Sequence, residues 1–234
     1  MDLLIKGSTE LNKMFVALDK TASGLRRDFG EVENLQQSLR GARDFVAKAS
    51  ARIEESILND LLLVRPSAGL LTPNMTRDGD GRDEFVLAIS GAANFVRANP
   101  NFAISLALRS SGETKIALVY APILERLYYA ERDSGAYMFS AFHSTKIRTS
   151  SIVDTDDLMV AYNTNDNSKK IGDIRVSGCP ALDLVGVACG KLDAFVSTPL
   201  DYAEIAAGEL ILREAGGKIS SGAELVATNG HVEM

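Results

Sequence analysis

The sequence contains few cysteines and no apolar run long enough to cross a membrane. Cys179 and Cys189 are the only cysteines among the 234 residues, and their spacing matches neither a metal site nor a redox motif. A transmembrane helix needs about 18 consecutive apolar residues, and no stretch approaches that length. The first residues lack the basic start and apolar core of a signal peptide. We therefore expect a cytoplasmic protein without a membrane span.

Clusters of lysine and arginine are also absent. The net charge is −6, whereas proteins that contact nucleic-acid phosphates need concentrated positive charge. We therefore expect no direct nucleic-acid partner. A composition of 46% hydrophobic and 24% charged residues is typical of a globular protein, and 234 residues suffice for one large domain or two small ones.

Hydrophobic spacing predicts helices interleaved with short strands. Three of the predicted helices cover residues 10–27, 181–189 and 204–215. A fourth follows the N-cap Asp44 and extends to about residue 61. The predicted strands cover residues 32–39 (an edge strand), 70–71, 85–89, 102–109, 115–120, 126–131, 137–142, 146–149, 158–162, 175–177, 192–196, 218–220 and 225–229. Residues 40–43 are predicted to form a turn and 163–170 a loop. Because the strands and helices do not alternate strictly, the pattern favours a layered α/β sandwich.

The Asp- and Gly-rich segment 75–83 resembles a cation-binding loop only superficially. It lacks the full series of alternating aspartates followed by a glutamate at the twelfth position. We interpret it as a solvated, mobile loop.

The stretch from Glu84 to Phe95 organises the chain. Residues 85–89 form a short apolar run that predicts a buried strand, and Ser90-Gly91 interrupts it before a helical segment. A strand that ends in a glycine turn at a helix start directs backbone N–H groups and a helix dipole at one point. We therefore expect the amides of Gly91, Ala92 and Ala93 to bind a small anion.

The same stretch resembles the signature of the inositol monophosphatase family, Asp-Pro-Ile-Asp-Gly-Thr-Thr-Asn-Phe. Ile89, Gly91, Asn94 and Phe95 match it. Similar family motifs recur over residues 101–108, 119–122, 127–136, 177–184, 188–193, 205–208 and 212–217. Residues 27–32 are similar to the bacterial branch known as the extragenic suppressor proteins. The resemblance implies a single domain over residues 1–234, a five-layer αβαβα sandwich and a homodimer. The connection between residues 162 and 175 is shorter than the family's, so a helix is expected to be missing there.

The family uses carboxylates to hold Mg²⁺ ions on a phosphate ester, and the metals activate water and stabilise the leaving group. The ligand positions implied by the resemblance are Ser50, Pro73, Asn74, Leu87, the carbonyl of Ile89, Ser90 and Glu204. Only Glu204 keeps a carboxylate. Mg²⁺ demands hard oxygen ligands in near-octahedral geometry. We therefore expect no metal to bind tightly.

Other family positions are replaced as well. The threonine that orients the attacking water falls on Ala92, so Pro73, Ser90 and Ala92 are not expected to act in catalysis. The substrate positions fall on Cys179, Pro180 and Ser197. Arg40 and Asp44 keep the charge of a Lys and an Asp that the family has near the metals. A surface charge at Arg40 and a helix cap at Asp44 explain the two residues equally well. His143 and His231 belong to no motif.

Two hypotheses follow from these residues. The first is a catalytically inactive member of the family that acts by binding a protein, with the transcription machinery as a possible partner and the exposed face of helix 181–189 as the contact surface. The alternative is a working Mg²⁺-dependent phosphatase that hydrolyses inositol monophosphate or a related sugar phosphate with an altered ligand set.

Overall fold

The computed structural model describes residues 5–36, 38–164 and 171–234. Its α-helices are α1 (Thr9–Asn34), α2 (Leu39–Val64), α3 (Ala92–Val96), α4 (Pro180–Ala188) and α5 (Tyr202–Glu214). Its strands are β1 (Gly69–Leu71), β2 (Thr76–Arg77), β3 (Asp83–Ser90), β4 (Ala103–Ser110), β5 (Glu113–Ala121), β6 (Arg126–Glu131), β7 (Ala136–Ser140), β8 (His143–Lys146), β9 (Met159–Asn163), β10 (Asp173–Arg175), β11 (Ala194–Ser197), β12 (Lys218–Ser221) and β13 (Leu225–Thr228). The predicted strand at residues 146–149 lies a few residues earlier, as β8.

The strands form two sheets. The larger has eight strands in the order β2-β1-β3-β4-β5-β6-β7-β8, and the smaller has five in the order β10-β9-β11-β13-β12. In the larger sheet β1 runs parallel to β3, and the later neighbouring pairs are antiparallel. In the smaller sheet β9 is parallel to both neighbours.

Helices cover both faces of the larger sheet because its side chains alternate between two cores. Leu87 and Leu106 point into the core shared with α1 and α2, whereas Val86 and Ala107 point into the core shared with α4 and α5. The second core also contains Phe195 and Ala227 of the smaller sheet, so α4 and α5 lie between the sheets. The predicted mixed α/β fold, with two sheets and five helices in the described residues, is confirmed.

The outer face of the smaller sheet carries a third core that includes Val160 and Val196 and is covered in part by Val232. This cluster contains no helical residue within the described ranges, so the described residues supply four layers. Residues 165–170, which hold most of the predicted loop 163–170, lie outside the described residues.

The predicted edge strand at residues 32–39 is wrong. Helix α1 continues to Asn34, and α2 begins at Leu39 after the N-cap Ser38, whose side chain accepts a hydrogen bond from the amide of Gly41. Val32 is fully buried against the first core, which extends α1 beyond its predicted end. The predicted turn at 40–43 and the predicted N-cap Asp44 are therefore internal residues of α2.

Helix α4 offers no exposed face for a partner, contrary to the prediction for helix 181–189. Its residues are buried or half-buried between the sheets. A helix with apolar residues on all its sides is typically enclosed by the rest of the protein. A charge reversal there would disturb the core.

Within the described residues, no helix combines the length and the apolar character that crossing a membrane requires.

Candidate functional site

The Gly91 turn joins β3 to α3. Gly91 has φ of 81°, a left-handed conformation that favours glycine. A Cβ at this position would lie 2.8 Å from the carbonyl oxygen of Asn101. The side-chain amide of Asn94 donates to the carbonyls of Asn101 at 2.7 Å and Ser177 at 2.8 Å. The residues that match the family signature therefore shape the turn.

Ser90 connects the end of β3 to the start of α4. The residue is fully buried. Its Oγ accepts a 3.2 Å hydrogen bond from the amide of Ala181 and lies 3.5 Å from the Sγ of Cys179. Burial raises the pKa of the Cys179 thiol to about 11, so the thiol is neutral. Ser90 thus contacts Cys179 and the amide of Ala181, on either side of the buried Pro180 that begins α4.

Asp183 lies next to this contact. Its carboxylate is 4% exposed and accepts a 2.7 Å hydrogen bond from the Oγ of Ser177. The same Oγ accepts from the amide of Cys179 at 2.9 Å. Burial raises the pKa of Asp183 to about 6, against a smaller lowering by the Ser177 hydroxyl. The turn before α4 is therefore held by a buried acid and a serine.

Leu87 occupies one of the two aspartate positions implied by the resemblance. Its side chain is fully buried in the core shared with α1 and α2, and it has no atom that can bind a metal. Ile89, two residues later, is half-buried and packs against the same core.

A cavity of about 360 Å³ lies between α2, α3 and the turn after β1. It brings together four of the implied positions, Ser50, Asn74, Ala92 and Ala93. The remaining lining residues are Arg43, Val46, Ala47, Ala51, Glu54 and Val96. The four implied positions in the cavity therefore hold two neutral polar residues and two alanines, and none of them carries a carboxylate.

Arg43 and Glu54 were missed by sequence reasoning. They lie on the same face of α2 as Ser50, since residues 43, 47, 50 and 54 recur at helical spacing. This spacing was visible in the sequence, but Arg43 was assigned to a turn. Desolvation by burial raises the pKa of Glu54.

Three other implied positions lie elsewhere. Pro73 is exposed in a turn where the Thr72 hydroxyl accepts from the amides of Asn74 and Met75. Glu204 lies in the first turn of α5, where burial and then the nearby Asp201 raise its pKa. Ser197 is fully buried in the smaller sheet and donates to the carbonyl of Asn163 at 3.3 Å. None of the three lines the cavity.

The donor chemistry of these positions does not fit Mg²⁺. Leu87 is a hydrocarbon, and Ser50 and Ser90 are neutral hydroxyls of which the second is already an acceptor. Magnesium sites in proteins are built from carboxylate and other hard oxygens. In residues 5–36, 38–164 and 171–234, no group of three or more His, Cys, Asp or Glu side chains is placed to hold a metal ion.

Comparison with known proteins gives consistent matches over almost the whole chain. The profile of the inositol monophosphatase family matches residues 8–225. An inositol-1-monophosphatase of Rhizobium meliloti is 34% identical over 228 residues, with 90% of this chain and 84% of the relative covered. The Nus factor SuhB of Escherichia coli K12 is 29% identical over 243 residues, with coverage of 96% and 87%. The crystal structure of the extragenic suppressor protein suhB from Bartonella henselae aligns with a TM-score of 0.82 at 31% identity and covers 96% of this chain and 95% of that chain.

Proposed function

This chain belongs to the inositol monophosphatase family, and we propose that it is a member that does not hydrolyse phosphate esters and acts by binding a protein. The observation that carries the proposal is the state of the two positions where the family signature has its aspartates. Leu87 is buried in the core, and Ser90 is bound to the start of α4.

Without these ligands the protein loses the metal, and with it the activation of water and the stabilisation of the leaving group. Mg²⁺ lowers the pKa of the attacking water and neutralises charge on the leaving oxygen. The neutral side chains of Ser50, Asn74 and Ala92 supply neither a base nor a positive charge for the leaving group. Arg43 and Glu54 line the cavity, but one cation and one carboxylate do not replace a metal clamp.

The proposed partner belongs to the transcription machinery. Relatives that share 29–30% identity with this chain are named Nus factors, and protein binding needs an intact fold but no metal ligands. The net charge of −6 supports contact with protein rather than with nucleic acid. We further propose a cytoplasmic homodimer, as the family resemblance implies.

Capture of purified transcription-machinery components tests the proposal. Wild-type protein and an Ala93→Asp variant are immobilised in equal amounts. Ala93 is chosen because it is exposed and lines the cavity between α2 and α3, which is called the cleft below. We expect both to capture the same component. No capture by the wild type contradicts a binding role in transcription. Capture that is lost in the folded variant shows that the cleft is still in use.

The alternative is a Mg²⁺-dependent phosphatase, which is supported by relatives named inositol-1-monophosphatase at 32–34% identity. The two functions differ in the effect of Mg²⁺ on thermal unfolding. A ligand that binds only the folded state raises the melting temperature. We expect no shift with Mg²⁺ here and a clear shift for the Rhizobium meliloti relative as a positive control. A saturable shift in this protein favours the phosphatase.

A further inference from the structure

A second cavity, of about 410 Å³, lies at the other end of β3 from the Gly91 turn. Strand β3 has eight residues, so the two ends are separated by about 23 Å. The charged side chains of the lining are Arg77, Asp78, Arg82, Asp83, Glu84 and Arg109. None of them belongs to the cleft described above.

Arg109 is held rigidly in this cavity. Its Nη1 donates to Glu84 at 2.8 Å and its Nη2 to the carbonyl of Gly112 at 3.1 Å. The guanidinium lies 5.0 Å from the centre of the Tyr202 ring, a distance at which the cation is attracted to the ring face. Its Nε is buried and has no hydrogen-bond acceptor within the described residues. Arg109 therefore forms one fixed wall of the cavity, with its guanidinium oriented and already paired with Glu84.

Arg77 and Arg82 are exposed. Apart from the attraction between Asp80 and Arg82, neither side chain has a hydrogen-bond or ion-pair partner among the residues that the structure describes. Asp80 lies outside the lining, and its carboxylate accepts from the Ser67 hydroxyl at 2.9 Å and the Arg82 amide at 3.0 Å. Two guanidinium groups are thus available to a ligand.

Most of the negative charge in the lining is already neutralised. Asp83 forms an ion pair with Arg65, and Glu84 forms one with Arg109. Asp78 is the remaining carboxylate, and it is exposed. Among the lining side chains that form no ion pair, two are arginines, Arg77 and Arg82, and one is a carboxylate, Asp78.

The segment from Arg77, the last residue of β2, to Arg82 is fixed to the body of the protein, whereas the sequence predicted a mobile loop there. Gly79 packs so closely on β1 that a Cβ there would lie 2.1 Å from the nitrogen of Gly69. The amide of Asp80 donates to the carbonyl of Ser67 at 2.8 Å. These contacts hold the backbone between Arg77 and Arg82 in place before a ligand arrives.

We propose that this cavity binds a phosphate group, either as inorganic phosphate or as the end of an organic phosphate ester. Guanidinium forks match phosphate oxygens and form charge-assisted hydrogen bonds with them. This site is independent of the proposed protein-binding role.

Titration calorimetry with inorganic phosphate tests the site. The test variant is Arg77→Gln with Arg82→Gln, and the matched control is Arg148→Gln with Arg175→Gln, which removes the same charge from exposed arginines outside the cavity. We expect saturable binding to the wild type, unchanged affinity in the control and at least a tenfold loss in the test variant. Melting temperatures of the three proteins confirm that all are folded.

Two results overturn the proposal. One is the absence of saturable binding to the wild type. The other is an equal affinity in both double variants, which indicates an adventitious ion only or a site elsewhere. Phenyl phosphate distinguishes the two sources of the phosphate group, since tighter binding than inorganic phosphate identifies an ester and weaker binding identifies the free ion. Loss of binding in Ala93→Asp, with binding retained in Arg77→Gln/Arg82→Gln, places the anion at the Gly91 turn instead and contradicts the proposal.

Discussion

The amide of Ala181 donates a 3.2 Å hydrogen bond to the Oγ of Ser90, and this bond joins the end of β3 to the first turn of α4. The resemblance to the family signature implies a metal-binding aspartate at the position of Ser90. In this structure its side chain is a buried acceptor for the protein's own backbone. The residue therefore has a structural role that requires a small, neutral side chain.

Ser90→Ala should destabilise the fold. It leaves the buried amide of Ala181 without its acceptor, and an unsatisfied buried donor costs about 1–3 kcal/mol. Urea unfolding measures the change.

Ser105→Ala is the matched control for Ser90→Ala. Ser105 lies on the neighbouring strand, opposite Ala88, and is 1% exposed, but its hydroxyl has no hydrogen-bond partner within the described residues. Its removal should be neutral or stabilising. Equal losses of stability in the two variants would show that the Ser90–Ala181 bond contributes nothing.

Leu87→Asp should fail to restore a metal site. The carboxylate would be buried unpaired among apolar side chains of the first core, which costs more than about 3 kcal/mol. Unfolding curves with and without Mg²⁺ should coincide. Leu124→Asp, at an exposed leucine, should change stability by only about 0.5 kcal/mol. Recovery of stability when Mg²⁺ is added to Leu87→Asp would show that the ligand geometry survives.

Gly91→Ala should cost more than Gly112→Ala. Both glycines have positive φ, 81° and 83°, so both variants incur about 1–2 kcal/mol of left-handed strain. Only at Gly91 would the new Cβ contact neighbouring atoms, whereas Gly112 has nothing within 4 Å. We expect a further ~1–3 kcal/mol at Gly91. Thermal unfolding of both variants tests this, and equal costs would show that the Gly91 turn is loosely packed.

Asp183 should make stability depend on pH in a definite direction. Burial raises its pKa from 3.8 to about 6, so the folded state binds the proton more tightly than the unfolded state between these values. The contribution of this group to stability is therefore greatest below about pH 4 and is lost as pH rises through 6. The loss amounts to about 3 kcal/mol.

Comparison with Asp183→Asn isolates this effect. The variant lacks the titrating group, so the free energy of unfolding of the wild type minus that of the variant should fall between pH 4 and pH 7. Denaturant unfolding at several pH values measures the difference. A difference that stays constant, or that grows with pH, would mean that Asp183 is charged in the folded protein throughout this range.

The central strand and its glycine turn were predictable because their signals are local. An apolar run interrupted by Ser90-Gly91 predicts a strand over residues 85–89, and in the structure β3 extends one residue further, to Ser90. The boundary between α1 and α2 was not predictable in the same way. Arg40-Gly41 suggested a turn, but Ser38 caps α2 and tertiary burial of Val32 extends α1.

The cleft was predictable only in part. The replaced positions Ser50, Ala92 and Ala93 do line one cavity, and their chemistry follows from the residue types alone. Recognition of Arg43 as a lining residue on the same face as Glu54 requires α2 to begin before residue 43, whereas the sequence predicted a later start. The contact of Ser90 with Ala181 joins residues 91 positions apart, and no local pattern specifies such a bond.

The most direct test of the central claim is the release of inorganic phosphate from inositol 1-phosphate, measured with Mg²⁺ and with EDTA. The account predicts that the rate with Mg²⁺ equals the rate in protein-free buffer and that EDTA does not change it. The Rhizobium meliloti relative serves as the active control under the same conditions. A turnover number in the ordinary enzyme range of about 1–10³ s⁻¹, abolished by EDTA, would contradict the account.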